Sequence, residues 1–205
     1  RGGLIRNLDA SGNGLGLEIG GFTRVTGGRL FDNEVGLVID QDSEAEATAF
    51  EIFTNETGAE IRSGVLRDSR VYGQTGPGIV LAGADVSVIG NRIYSNETGV
   101  LHRVVRGSNR IEQNLIYDHA ATGVAVEGAQ TSGGATLIMN NTVYELNAVA
   151  ISVGSGSRNV EIRNNVFVRG MEPAIAVDRD SERSFLSDYN LFHSLTGGPL
   201  VVWEE

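Results

Sequence analysis

Apolar residues recur along the chain in a fixed frame rather than at helical spacing. Asn91-Arg-Ile-Tyr94, Asn114-Leu-Ile-Tyr117, Asn141-Thr-Val-Tyr144, Asn165-Val-Phe-Val168 and Asn190-Leu-Phe-His193 share one pattern. Each is followed by an alternating segment such as Gly123-Val-Ala-Val126 or Ala150-Ile-Ser-Val153. Without the asparagine, the frame extends back through Tyr72, Phe53, Phe31 and Asp9. Three apolar columns result. The first reads Leu8, Leu30, Ile52, Val71, Ile93, Ile116, Val143, Phe167, Phe192. The second is Leu15, Leu37, Ala59, Ile79, Val100, Val124, Ile151, Ile175, Leu200. The third is Leu17, Ile39, Ile61, Leu81, His102, Val126, Val153, Val177, Val202. The second and third columns lie two residues apart within a rung, which is strand spacing. Nine such rungs, 19 to 27 residues apart, predict an all-β coil in which successive rungs stack in parallel and like side chains pile up. At about 4.8 Å per rung, nine rungs make a rod roughly 40 Å long.

The Asn-x-(Ile/Val)-Tyr element and the Gly-Val-x-Val strand after it resemble the repeat of the pectate-lyase-like right-handed parallel β-helices, over essentially the whole chain. The resemblance implies a right-handed β-solenoid of about nine rungs, formed by one domain over residues 1–205. It also implies stacked asparagines at one turn, matched here by Asn91, Asn114, Asn141, Asn165 and Asn190. The first four rungs carry Arg6, Gly28, Phe50 and Ser69 at that place. Both ends read as uncapped or partial: Arg1-Gly-Gly-Leu4 begins inside a rung and Val201-Val-Trp-Glu-Glu205 stops inside a strand. A section of a longer protein is the reading preferred, with end-to-end self-association the alternative.

Composition narrows the partners. Twenty-six acids against sixteen bases give a net charge of −10, which argues against nucleic acid. All the bases are arginine, a bias that looks like GC-rich bacterial coding. Cysteine is absent, which excludes disulfides and thiolate chemistry. No run of eighteen apolar residues predicts membrane insertion. No signal peptide is visible, and an extracellular or cell-surface location follows from the resemblance alone.

In the resembled family the cleft lies on the outward face of the sheet after the Gly-Val-x-Val signature. On that face the two outward columns read Gly16, Val38, Glu60, Val80, Leu101, Ala125, Ser152, Ala176, Val201 and Glu18, Asp40, Arg62, Ala82, Arg103, Glu127, Gly154, Asp178, Trp203. Glu60, Arg62, Arg103 and Glu127 are the candidate catalytic residues. An arginine with carboxylates fits lyase or epimerase chemistry on a uronate, which needs a base and a positive group at the enolate. A glycoside hydrolase is the third reading: its two carboxylates are Glu60 with Asp40 or Glu127. The competing reading of the same cluster is a salt-bridged surface row. Val80, Leu101 and Ala125 form an outward apolar stripe, suited to a docking polysaccharide, domain or second chain. Asp40, Asp42, Glu44 and Asp178, Asp180, Glu182 repeat an alternating carboxylate pattern, a candidate calcium site or a solvated acidic loop.

Phe31, Phe53, Tyr72, Tyr94, Tyr117 and Tyr144 make an aromatic column, structural or a sugar platform. His102, in a core column, predicts a hydrogen-bonded histidine rather than a base. Asn55, Asn96 and Asn140 head N-glycosylation triplets of the kind that arise by chance in turns. Taken together, the sequence points first to a structural or carbohydrate- or protein-binding section of a surface β-helix protein. A polysaccharide lyase or uronate epimerase is the alternative.

Overall fold

In the computed structural model, which describes residues 3–103, 107–129 and 134–203, the strands lie in two parallel sheets of fifteen and nine strands. Each rung runs through the large sheet, bends, continues in the same sheet, turns, and crosses into the nine-stranded sheet. In the first three rungs the bend falls inside one unbroken strand: Leu4–Ser11, Arg24–Phe31 and Glu46–Phe53. From Gly64–Arg67 and Arg70–Tyr72 onward the same path is split in two. The bend is made by one residue in the left-handed region, among them Ala49, Asp68, Gly90, Gln113, Asn140 and Asn164.

Behind Asp68, Gly90, Gln113, Asn140 and Asn164 an inward polar side chain ties the rungs together. The Asn91 backbone N–H donates to Asn114 Oδ1 at 2.9 Å, Asn114 to Asn141 at 3.0 Å and Asn141 to Asn165 at 2.9 Å. Their Nδ2 groups donate to main-chain carbonyls such as Leu66, Val88 and Ile111. Ser69 starts the row by accepting from the Phe50 N–H. The bend interrupts the sheet, so these backbone groups need side-chain partners inside a dry coil.

The three apolar columns pair in the expected register from the second rung to the eighth: Leu37, Ala59, Ile79, Val100, Val124, Ile151 and Ile175 are successive partners. All seven are fully buried. The two ends depart from it. In the first rung Ala10 opposes Leu30, Leu17 opposes Leu37, and Ile19 opposes Ile39, so the rung sits two residues later than the leucine pattern indicated. Glu18, not Gly16, is therefore its outward residue beside Val38. In the last rung Val201 opposes Ile175 and Trp203 opposes Val177. Trp203 thus falls in the third column, edge-on to Phe185 at 5.3 Å. The two-residue shift of the first rung preserves inside and outside along a strand, so alternation alone does not reveal it, whereas the last rung is displaced by one residue and brings Val201 and Trp203, expected outward, into the core columns.

Candidate functional site

The outward face of the nine-stranded sheet carries the four residues singled out from sequence, in two separate pairs. Arg62 Nε donates to Glu60 Oε1 at 2.9 Å, and its Nη1 to Asp40 Oδ1 at 3.3 Å. The Glu60 hydrogen bond, then its charge, holds the Arg62 pKa above the ordinary guanidinium value. Two rungs on, Arg103 Nε lies 3.8 Å from Glu127 Oε2, both side chains more than half exposed. Ala82, on the rung between, separates the pairs because no long side chain bridges that gap. Val80 is partly exposed on this face, whereas Leu101 and Ala125 retain only 5% and 7% of their surface.

The acidic loops are placed differently from one another. Asp40 is engaged by Arg62, and Asp42 occupies a left-handed turn position. Asp178 Oδ2 accepts the Ser155 N–H at 2.7 Å, while Asp180 lies in a short 3₁₀ turn, Arg179–Ser181, whose Ser181 hydroxyl accepts from the Ser157 N–H. Among the described residues, no three His, Asp or Glu side chains converge to hold a metal ion.

The aromatic column is outward, and its rings stack on one another. Centroid distances from Phe31 through Phe53, Tyr72, Tyr94 and Tyr117 are 5.0, 5.4, 4.9 and 4.9 Å, with planes within 8°. A ring stacked on both faces offers a ligand only its edge, whereas a sugar platform needs a free face. Burial, and then the neighbouring Tyr72 and Tyr117, raise the Tyr94 pKa above its ordinary value.

A second inward polar row, which the sequence reading missed, stands at the turn before the nine-stranded sheet. Asn13, Asn33, Asn55, Gln74 and Asn96 each accept the N–H of the preceding member or supply theirs to the next, at 2.7–3.1 Å. The row ends in a different chemistry, His119 and Glu145. Its signal was present: an amide or histidine stands two residues after Phe31, Phe53, Tyr72, Tyr94 and Tyr117. Asn55 and Asn96 are buried members of this row, so their side chains face inward from the glycosylation triplets they head. Asn140 is exposed at its bend.

His102 points into the coil. Its Nε2 lies 3.1 Å from Asn109 Nδ2 and 3.2 Å from Thr136 Oγ1, while Nδ1 is buried without a partner. Burial lowers its pKa to about 4. A neutral ring accepting at Nε2 suits both neighbours, since Asn109 Nδ2 is a donor and the Thr136 hydroxyl can donate.

A parallel coil of stacked three-strand rungs with inward amide rows defines a β-helix protein. The chain belongs to the family described as the right handed beta helix region, whose model matches residues 35–191. No curated protein matches its sequence. Two solved structures are similar in fold. One is the enzymatically active domain of tailspike protein 2 of bacteriophage CBA120, at a TM-score of 0.71 and 10% identity over 93% of this chain. The other is the A-module of a mannuronan C-5 epimerase from Azotobacter vinelandii, at 0.51 and 19% over 98%. This chain spans 34% and 56% of those two chains. Among the described residues no helix is long and apolar enough to cross a membrane.

Proposed function

We propose that this chain is a polysaccharide-binding section of a β-helix protein acting outside the cell or at its surface. One observation carries the reading. On the outward face of the nine-stranded sheet, each candidate arginine is matched by carboxylates of its own or an adjacent rung: Arg62 by Glu60 and Asp40, Arg103 by Glu127. Charge matched in this way leaves rows of hydrogen-bonding groups at the rung spacing, a surface suited to the hydroxyls of an extended glycan. With the net charge at −10, a neutral glycan approaches this face at lower electrostatic cost than a polyanion. A panel of immobilised neutral and acidic polysaccharides tests it: retention on at least one, weakened a few-fold by Arg103→Ala with Glu127→Ala, is expected. Retention on none of them would end the reading.

A polysaccharide lyase or epimerase is the second reading, favoured by the openness of the Arg103–Glu127 pair and by the likeness to a mannuronan epimerase fold. Incubation with polyuronates, with and without calcium, should then raise the ultraviolet absorbance of unsaturated ends for a lyase, or change the uronate configuration seen by proton NMR for an epimerase. Either activity should disappear in Arg103→Ala. Neither change in wild type would leave binding as the role of this face.

A further inference from the structure

The turns from the nine-stranded sheet into the large sheet differ in length. Residues 40–45 separate Ile39 from Glu46, residues 62–63 separate Ile61 from Gly64, and residues 82–85 separate Leu81 from Val86. A two-residue turn between longer ones leaves a notch of about 500 Å³, with Arg62 and Ser63 at its floor and Asp42, Glu44 and Asp85 among its walls. The geometry is built rather than incidental. A Cβ on Gly83 would fall on the Arg62 carbonyl, so only glycine lets the 82–85 turn close down over the floor.

The lining has an unusual mixture of unmet hydrogen-bonding capacity. Of the five N–H donors of a guanidinium, Arg62 uses one on Glu60 and one on Asp40. Three remain, and the two carboxylates hold the group in place. Among the described residues, no hydrogen bond or ion pair reaches the Asp42 or Glu44 side chains opposite it, and Asp85 accepts only the Ser108 N–H, at 3.3 Å. The free carboxylates of the walls repel an anion, and a simple cation, which has no acceptor, leaves the three remaining guanidinium donors unmet. A neutral polyol meets both kinds of group, because each hydroxyl donates to a carboxylate and accepts from a guanidinium.

We infer that this notch is a subsite for one neutral sugar unit of a polysaccharide, gripped between Arg62 and the carboxylates of the flanking turns. The inference rests on the polysaccharide-binding reading and adds a place and a substrate class to it. The glycan leaves the notch toward the outward sheet face, where Arg103 and Glu127 form a rim.

Isothermal titration with neutral hexasaccharides (gluco-, manno-, xylo- and rhamno-configured), oligogalacturonate and oligoglucosamine tests it, each variant being checked by thermal melting. At least one neutral oligosaccharide should bind. Asp42→Ala, Asp85→Ala and the notch-filling Ala82→Trp should each weaken it tenfold or more, and Arg103→Ala no more than a few-fold. If Arg103→Ala abolishes binding while the notch variants bind as wild type, the notch is not the subsite and the broader reading stands. Binding confined to the acidic or the amino sugar would also overturn the notch. No binding by any oligosaccharide would remove both.

Discussion

His119 Nδ1 lies 2.5 Å from Glu145 Oε1, and the His119 backbone N–H donates to Glu145 Oε2 at 3.0 Å, with both side chains shut away from solvent. On the other side of the ring, Nε2 faces Asn96 Nδ2 at 3.5 Å. That amide also donates to the Val71 carbonyl, and its Oδ1 accepts the Gln74 N–H. The arrangement is consistent only if Nδ1 carries the proton and Nε2 accepts. On the next rung Glu145 is the register partner of Arg169, also fully buried. The amide row of the earlier rungs is thus continued by a histidine, a carboxylate and a guanidinium in succession.

Removing one member of that sequence should cost more than replacing two. Glu145→Ala leaves the His119 N–H and ring proton without acceptors in a dry site and should cost about 3 kcal/mol or more. His119→Asn with Glu145→Gln restores the amide chemistry used at Asn33, Asn55 and Gln74, and should lose less than Glu145→Ala alone. Urea denaturation of the single and double variants checks this. A double variant as unstable as Glu145→Ala would mean that the histidine–carboxylate contact itself is required.

The other inward histidine predicts a pH dependence. His102 has its pKa lowered from 6.5 to about 4 by burial. Between those values the unfolded chain binds a proton that the folded chain refuses, so stability falls as pH drops below about 6.5 and the loss levels off below about 4. The full loss is of the order of 3 kcal/mol. His102→Gln keeps a carbonyl acceptor for Asn109 and Thr136 and has no ring to protonate. Its midpoint in urea should change less than that of wild type between pH 6.5 and pH 4. Equal slopes would place the titration elsewhere.

Most of the fold was readable because its signal repeats. Leu30, Ile52, Val71, Ile93, Ile116, Val143, Phe167 and Phe192 are in-register partners, as their spacing indicated. The first rung was misphased because Leu8 looks like a better core residue than Ala10. The interval that matters there is set by Asn13 and Asn33, twenty residues apart, whose hydrogen bond fixes the turn. The site was less legible. Sequence columns place Arg62 and Arg103 on one face, but whether they meet depends on the side chain between them. The notch depends on turn lengths, which an apolar period does not encode.

Arg169 closes the far end of the inward row with no acidic partner in hydrogen-bond reach among the described residues. Its Nη1 donates to the carbonyls of Gly170, Met171 and Glu172, and its Nη2 to those of Gly197 and Gly198, at 2.8–3.3 Å. One planar fork therefore ties two loops that lie far apart in sequence. Arg169→Met should leave these acceptors without their donor and cost at least about 2 kcal/mol, since each dry unpaired group costs roughly 1–3. Arg169→Lys should recover only part of it, because an ammonium is a single point and cannot span both loops. Thermal melting of both variants decides; full rescue by lysine would mean that charge, not the fork, is what matters.

The glycine of the Gly-Val-x-Val strand has a steric reason visible at the rungs that carry it. A Cβ on Gly36 would lie 2.6 Å from the Gly58 carbonyl oxygen and 3.0 Å from Asn55 Nδ2, and one on Gly58 would fall on the Gly78 carbonyl beside Gln74. The φ angles there are not in the left-handed region, so the requirement is space for the next rung's carbonyl and inward amide, not backbone freedom. The column changes to alanine at Ala150 and Ala174, on the rungs that carry Glu145 and Arg169. Gly58→Ala should therefore cost about 1–3 kcal/mol through overpacking. Gly14→Ala, whose Cβ would meet only the Glu34 carboxylate at 3.8 Å, should change stability by no more than about 0.5 kcal/mol. Equal melting temperatures for the two variants would mean that the coil yields at Gly58 and that the glycine column has another cause.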